Sequence, residues 1–224
     1  MPPPHRPSAE ASPPSSEEKS GAPLAYLFFG AFSGFPPTLE RLRKRIEADF
    51  GRIHERGVSP PYPFPETAAY ARSMGRCLER RFFVLEKLWP QDGLAAVKRW
   101  AIRVEAEIAA SGPDDEHPEA AAGAEPRQWP VARPVNIDPG LLDGSRILLA
   151  STRFRPHRIY RGDGIWEEVT LRHDGAEWKA LPWTYPDFAA PTYHAFFEPF
   201  RRLLSEEEKS ARPRSPRPDS PPHA

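Results

Sequence analysis

Cysteine is almost missing from this chain of 224 residues: Cys77 is the only one. One thiol cannot close an intramolecular disulfide, and it leaves no multi-cysteine zinc or iron–sulfur site. A surplus of one charge sign is missing as well. Lys+Arg and Asp+Glu number 31 each, so the formal net charge is +0. Broad capture of nucleic acid or acidic membrane needs a cationic excess, so neither a general nucleic-acid binder nor a membrane-surface protein is expected, although a local basic site stays open. No apolar run approaches the ~18 residues of a membrane span. The first residues, 1–21, are rich in Pro, Ser and Glu and hold no apolar signal region, so export is not expected. These absences lead us to expect a cytoplasmic protein of a reducing compartment.

Familiar catalytic motifs are absent too. There is no Gly-x-x-x-x-Gly-Lys-Ser/Thr phosphate loop and no Gly-x-Gly-x-x-Gly turn opening a helix. In Gly30-Ala31-Phe32-Ser33-Gly34 the serine is off-centre for a nucleophile elbow. His54-Glu55 is no zincin motif, because Val58 stands where the second histidine belongs.

Proline is plentiful, at 30 residues. It clusters in 1–22 and in 206–224, which also carry Ser, Glu and Arg, and both read as disordered tails that cannot offset their ordering entropy. The Arg/Pro-rich tail could also serve as a peptide ligand or a weak phosphate-binding arm. Residues 111–128 read as a flexible insertion. A single α+β domain over 23–205 remains.

Within it, Leu24–Phe29 reads as a buried strand. Thr38 caps a helix through Leu39, Leu42, Ile46 and Phe50 that stops at Gly51. Strands follow near 52–56 and 80–85, with the Pro60–Pro65 run unfit for either a helix or a central strand. Asp92 caps a second helix with Leu94, Val97, Ala101, Val104 and Ile108 on one face. Arg133–Ile137 is extended and is broken by Asp138-Pro139-Gly140. The order strand–helix–strand–strand–helix–strand predicts a ferredoxin-like first half. The second half reads as antiparallel hairpins: a central strand Ile147–Ala150, a hairpin turning at Gly162-Asp163 or Asp163-Gly164, and a second turn at Asp174-Gly175. A C-terminal helix spans about 192–204, with Pro199 as a kink or first turn. One mixed sheet and two packed sheets are both open.

With an even-length first turn, strand alternation puts His157, Ile159, Trp166, Glu168 and Thr170 on one face. Tyr160, Ile165, Val169 and Leu171 take the other, as a core face. His157 beside Glu168 has the makings of an acid–base pair, or of a plain cross-strand pair.

Several motifs occur in order: Val135-Asn136-Ile137-Asp138-Pro139-Gly140, Leu149-Ala150-Ser151-Thr152, His157-Arg158-Ile159-Tyr160, Gly162–Leu171 and Leu181-Pro182-Trp183-Thr184-Tyr185-Pro186-Asp187. As a set, over about residues 24–205, they resemble the bacterial domain-of-unknown-function family 4416. That resemblance implies a bacterial relative and names no reaction. The family's usual aromatic and acidic segment is replaced here by Pro65-Glu66-Thr67-Ala68-Ala69-Tyr70.

The motif residues suggest a site for a nucleotide or other phosphate-bearing small molecule on the second-half sheet. His157 and Glu168 would be its catalytic pair. Asn136, Arg158, Tyr160, Thr170 and Tyr185 would bind the ligand, and a divalent metal could sit on Asp138 and Asp187, with Glu168 beside them. The rival expectation is a non-catalytic module that uses an open sheet face to bind a protein or RNA partner, with Trp166 as a contact. A small-molecule site requires Asn136, Asp138, His157, Glu168 and Asp187 to converge.

Overall fold

The computed structural model describes residues 21–113 and 128–211, the last five of these as backbone only. Most of the predicted N-terminal tail, most of the predicted insertion and residues 212–224 lie outside the described residues, whereas residues 206–211, expected to belong to a disordered tail, continue the C-terminal helix. The elements run in the order β1 (Leu24–Ser33), α1 (Pro36–Phe50), β2 (Ile53–Val58), β3 (Tyr62–Pro63), α2 (Ala68–Met74), β4 (Glu79–Pro90), α3 (Leu94–Ser111), β5 (Asn136–Leu142), β6 (Arg146–Ser151), β7 (Ile159–Gly162), β8 (Ile165–His173), β9 (Trp178–Ala180) and α4 (Pro191–Ala211). All nine strands join one antiparallel sheet in the order β2-β4-β1-β5-β6-β8-β7, with β3 added to β4 and β9 to β8. The protein is thus α+β, a single sheet rather than two. Among the described residues no helix is long and apolar enough to cross a membrane.

Helices cover both faces. Leu39, Leu42 and Ile46 of α1 and the Leu94, Val97, Trp100, Ala101, Val104 and Ile108 stripe of α3 pack on one face, against Leu27, Phe29, Phe83 and Ile165. On the other face Phe197, Phe200 and Leu204 of α4 meet Phe28, Phe82, Ile147 and Leu171. α4 is fastened by Glu198, which accepts from Trp178 Nε1 (3.1 Å) and from Arg201 Nη2 (2.7 Å).

Local details differ from the sequence reading. Thr38 does not cap α1: Phe35 is the N-cap, Pro36 and Pro37 fill the first turn, and Thr38 is buried. There the missing proline N–H groups are ones the helix would leave unbonded anyway. Asp92 is no cap either, since Gln91–Gly93 form a 3₁₀ turn and Gly93 precedes α3. Helix α2 was not predicted; Thr67 caps it by accepting from Tyr70 N–H. Pro199 sits inside α4 rather than at its start.

The first hairpin turns at Asp163-Gly164, with φ of 49° and 75°, the two positive values of a type I′ turn. A bulge at Arg161 then pairs Tyr160 with Trp166 and Ile159 with Glu167. A second irregularity leaves Thr170 unpaired between the Ile147–Leu171 and Leu148–Val169 pairs. Each extra residue reverses the alternation. Tyr160 therefore shares a face with Trp166, Ile159 does not, and Leu171 and Ile165 fall into separate cores.

The largest departure lies at Asp138-Pro139-Gly140, which breaks nothing. It runs through β5, paired to β1 from Asn136 to Leu142. The β6 side is paired only from Gly140 onward. Before Gly140 the sheet forks, and the Ile137 N–H and C=O turn to α3 instead: Glu105 Oε1 accepts the N–H (2.6 Å) and Lys98 Nζ donates to the carbonyl (2.6 Å). By strand alternation Pro139 presents its nitrogen to that same unpaired edge, where a donor would have no strand to meet.

A Cβ on Gly140 would lie 2.4 Å from Phe28 Cζ and 2.5 Å from the Leu148 carbonyl oxygen. Gly140→Ala should destabilise the fold by about 2–3 kcal/mol, read as a lowered urea midpoint. A second expectation concerns Glu198, whose carboxyl is held down at about 2 by hydrogen bonding from Arg201, with Arg202 adding to it against the opposing effect of burial. Its folded value lies below its ordinary one, so its stabilisation is present above about pH 4.5 and is lost as pH falls toward 2. Glu198→Gln should flatten the acid limb of stability over that window, measured by urea unfolding at a series of pH values.

Candidate functional site

The fork between β5 and β6 holds a cavity of about 140 Å³. Its walls come from both layers: Lys98, Ile102 and Glu105 of α3 on one side, and Arg80 of β4 with Tyr185, Asp187 and Phe188 of the loop before α4 on the other. Five cationic side chains (Arg80, Lys98, Arg133, Arg153, Arg158) face four acidic ones (Glu105, Asp138, Glu168, Asp187).

Most of these charges are neutralised within the wall. Arg80 is 4% exposed, and its guanidinium is surrounded by the rings of Phe64, Phe32, Phe188 and Phe82, with centroids at 4.7 to 5.9 Å. Its Nη1 lies 3.4 Å from Asp187 Oδ2 and its Nη2 3.7 Å from Asp138 Oδ2. Both contacts are long for charged hydrogen bonds. Arg80 Nε and Asp187 Oδ2 are buried and have no hydrogen-bond partner among the described residues. Asp138 also receives Asn136 Nδ2 (2.8 Å) and Lys98 Nζ (3.2 Å). Burial works to raise its pKa, but Lys98, Arg80 and Asn136 outweigh that and leave it below the usual carboxylate value. Glu105 goes the other way, since burial pushes its carboxyl up despite Lys98.

A second buried cluster closes the wall on the β8 side. Glu168 Oε2 accepts from Arg158 Nε (2.7 Å) and lies 2.8 Å from His157 Nε2, while Thr170 Oγ1 donates to Oε1 (3.0 Å). Arg158 Nη1 donates to Ser151 Oγ (2.7 Å) and to the Arg153 carbonyl (2.8 Å), and Nη2 to Tyr185 Oη (3.2 Å). Arg158 thereby ties the loop after β6 to the loop before α4.

Asn136, Asp138, Arg158, Glu168, Tyr185 and Asp187, predicted as site residues, all line this one cavity. Three others do not. His157 meets Glu168 from behind and stacks on Trp183 (4.8 Å, 6° between planes), so it supports the wall instead of facing the space. Thr170 is fully buried, held to Glu168 and Thr184. Tyr160 stands apart on exposed β7, its hydroxyl accepting from Gly164 N–H. The two aspartates predicted as metal ligands both face Arg80, whose positive charge stands where a cation would go. No group of three or more His, Cys, Asp or Glu is placed to hold a metal ion among the described residues.

Sequence reasoning missed Arg80, Lys98, Glu105, Arg133 and Arg153. Two signals were there. Arg80 is in phase with buried Phe82 and Val84 along one strand, and Lys98 and Glu105 sit seven residues apart beside the buried stripe of α3.

Arg133 and Arg153 differ from the other three cations. The Arg133 side chain donates to Asn136 Oδ1, the Arg153 side chain is exposed, and neither forms an ion pair with a carboxylate among the described residues.

Glu168 and Arg158 are both nearly fully buried, at 1% and 3% side-chain exposure. Arg158→Met should cost about 3–5 kcal/mol by leaving the carboxylate short of its cation, and adding Glu168→Leu should recover part of that loss. Denaturant unfolding of the two variants checks both statements.

No curated protein matches this chain, and no solved structure does. One family model matches over residues 23–203, that of the domain of unknown function DUF4416. The match takes in the fork, every wall residue named above and most of α4, so the chain belongs to the DUF4416 family.

Proposed function

We propose that the protein binds a small phosphate-bearing molecule at the fork, with the anion entering between Arg133 and Arg153. The observation that carries this reading is the split among the cavity's five cations. Three are held by carboxylates within the wall, and the guanidinium groups of Arg133 and Arg153 form no ion pair among the described residues. Guanidinium groups without a carboxylate partner, in a cavity that Tyr70 and Tyr185 also line, are a receptor for a multi-oxygen anion. The unsatisfied Arg80 Nε and Asp187 Oδ2 add a donor and an acceptor deeper in the same wall. A volume of about 140 Å³ suits a phosphoryl group and leaves the rest of the ligand outside.

A module docking partners on an open sheet face has less support, because helices lie on both faces and leave only the β7 end of the sheet uncovered. The first half is read as a ferredoxin-like unit with β3 and α2 inserted. Strand order β2-β4-β1-β5, with α1 and α3 on one face, supports that reading. The family resemblance supports a bacterial origin, and a single cysteine, which cannot close an intramolecular disulfide, fits the reading of a reducing, cytoplasmic compartment.

The test is calorimetric titration of the purified protein with ribose 5-phosphate. We expect a Kd below about 1 mM. Arg153→Gln should weaken it about tenfold without moving the melting temperature of the free protein, since the Arg153 side chain is exposed and makes no hydrogen bond or ion pair among the described residues. Absence of binding, or binding indifferent to Arg153, overturns the reading.

A further inference from the structure

Beside the cavity stands an aromatic cluster that belongs to none of the buried hydrophobic clusters. Trp166 on β8 is paired in register with Ser151 of the cavity wall on one side and with Tyr160 of β7 on the other. One strand spacing, about 4.8 Å, therefore separates the Trp166 backbone from a residue that lines the cavity. The Trp166 ring contacts Phe154 (centroids 5.1 Å) and Tyr160 (4.9 Å). Phe154 follows Arg153 directly in sequence, and it is 62% exposed while Tyr160 is 55% exposed. The bulge at Arg161 is what puts Tyr160 on the face of Trp166, so the shelf depends on an irregular register.

Large exposed rings held side by side on a sheet expose apolar area to water, which a planar partner would cover. Every nucleobase offers a π-face to such rings, whatever its hydrogen-bonding edge. The adjoining cations Arg153 and Arg133 fix where the charged end of the partner lies. Resting on the phosphate reading above, we infer that the ligand is a nucleoside phosphate. Its phosphate sits at the mouth of the fork, its ribose crosses from Ser151 toward β8, and its base stacks on Phe154 and Trp166. Balanced net charge and the small cavity favour a mononucleotide over a nucleic-acid strand, which would need a cationic track for successive phosphates.

The experiment compares calorimetric affinities of the full chain for ribose 5-phosphate and for the four nucleoside 5′-monophosphates. Stacking predicts that the best nucleotide binds at least about tenfold more tightly than ribose 5-phosphate, because a stacked base typically contributes a factor of that order or more. Phe154→Ala, at an exposed position, should reduce that advantage to below about threefold and leave ribose 5-phosphate affinity unchanged. Tyr160→Ala should act in the same direction through loss of support to Trp166. Equal affinity for ribose 5-phosphate and every nucleotide overturns the inference and leaves the phosphate site standing. So does a nucleotide advantage that survives Phe154→Ala. Failure of all five ligands to bind overturns both readings. An oligonucleotide of about six residues that binds far more tightly than any mononucleotide also overturns the inference, and replaces it with a strand-binding groove.

Discussion

Each buried backbone N–H and C=O must find a partner, and at Ile137 that requirement shapes the protein. Where β5 leaves β6, the sheet can no longer supply one, and two charged side chains of α3 reach across to do so. Lys98 and Glu105 are costly to bury alone. Their positions are stable because each has a backbone group to bond and the two lie close enough to lower each other's penalty. Asp138 adds a third charge to the set. The fork, the polar cavity in it and the charged face of α3 are thus one arrangement seen from three sides. Removing any part leaves an unpaired group in the others.

The cavity's chemistry follows from how its charges are distributed. Arg80 and Arg158 are structural first. One is enclosed by four rings and two carboxylates, and the other spans Glu168, Ser151, the Arg153 carbonyl and Tyr185. Buried guanidinium groups whose charge is already met by carboxylates form a rigid wall and attract ligand only weakly, although Arg80 keeps one donor, Nε, without a partner among the described residues. The attraction is left to the residues that the fold does not consume, Arg133 and Arg153. This division separates the residues that keep the site in shape from those that fill it, and His157 falls on the first side although its neighbour Glu168 faces the space.

Much of this was legible in the chain and some of it was not. Six of the nine residues singled out by sequence line one cavity because turn and polar motifs in β5, β8 and the loop before α4 converge at the fork. The α+β class followed from short strands alternating with amphipathic stretches. Three kinds of information were hidden. Proline in Asp138-Pro139-Gly140 signals a break by local rules, and only the neighbouring strand's absence makes it tolerable inside a sheet. Side-chain parity failed at Arg161 and Thr170, because a bulge changes which face a residue takes without leaving a mark in composition. Charge beside an apolar stripe, buried at Lys98 and half-buried at Glu105, reads as a solvated helix edge until the partner element is known.

Pro139 has a consequence beyond its fit to the fork. A strand pair grows like a zip, each new rung forming next to the last, and β5 and β6 are zipped up to Gly140 and Leu149. The next rung would need a donor that Pro139 does not possess, so further closure gains nothing there. The gap is fixed by covalent chemistry rather than held open by whatever enters it. A visiting molecule therefore meets a vestibule already built, and none of its affinity is spent on parting the strands.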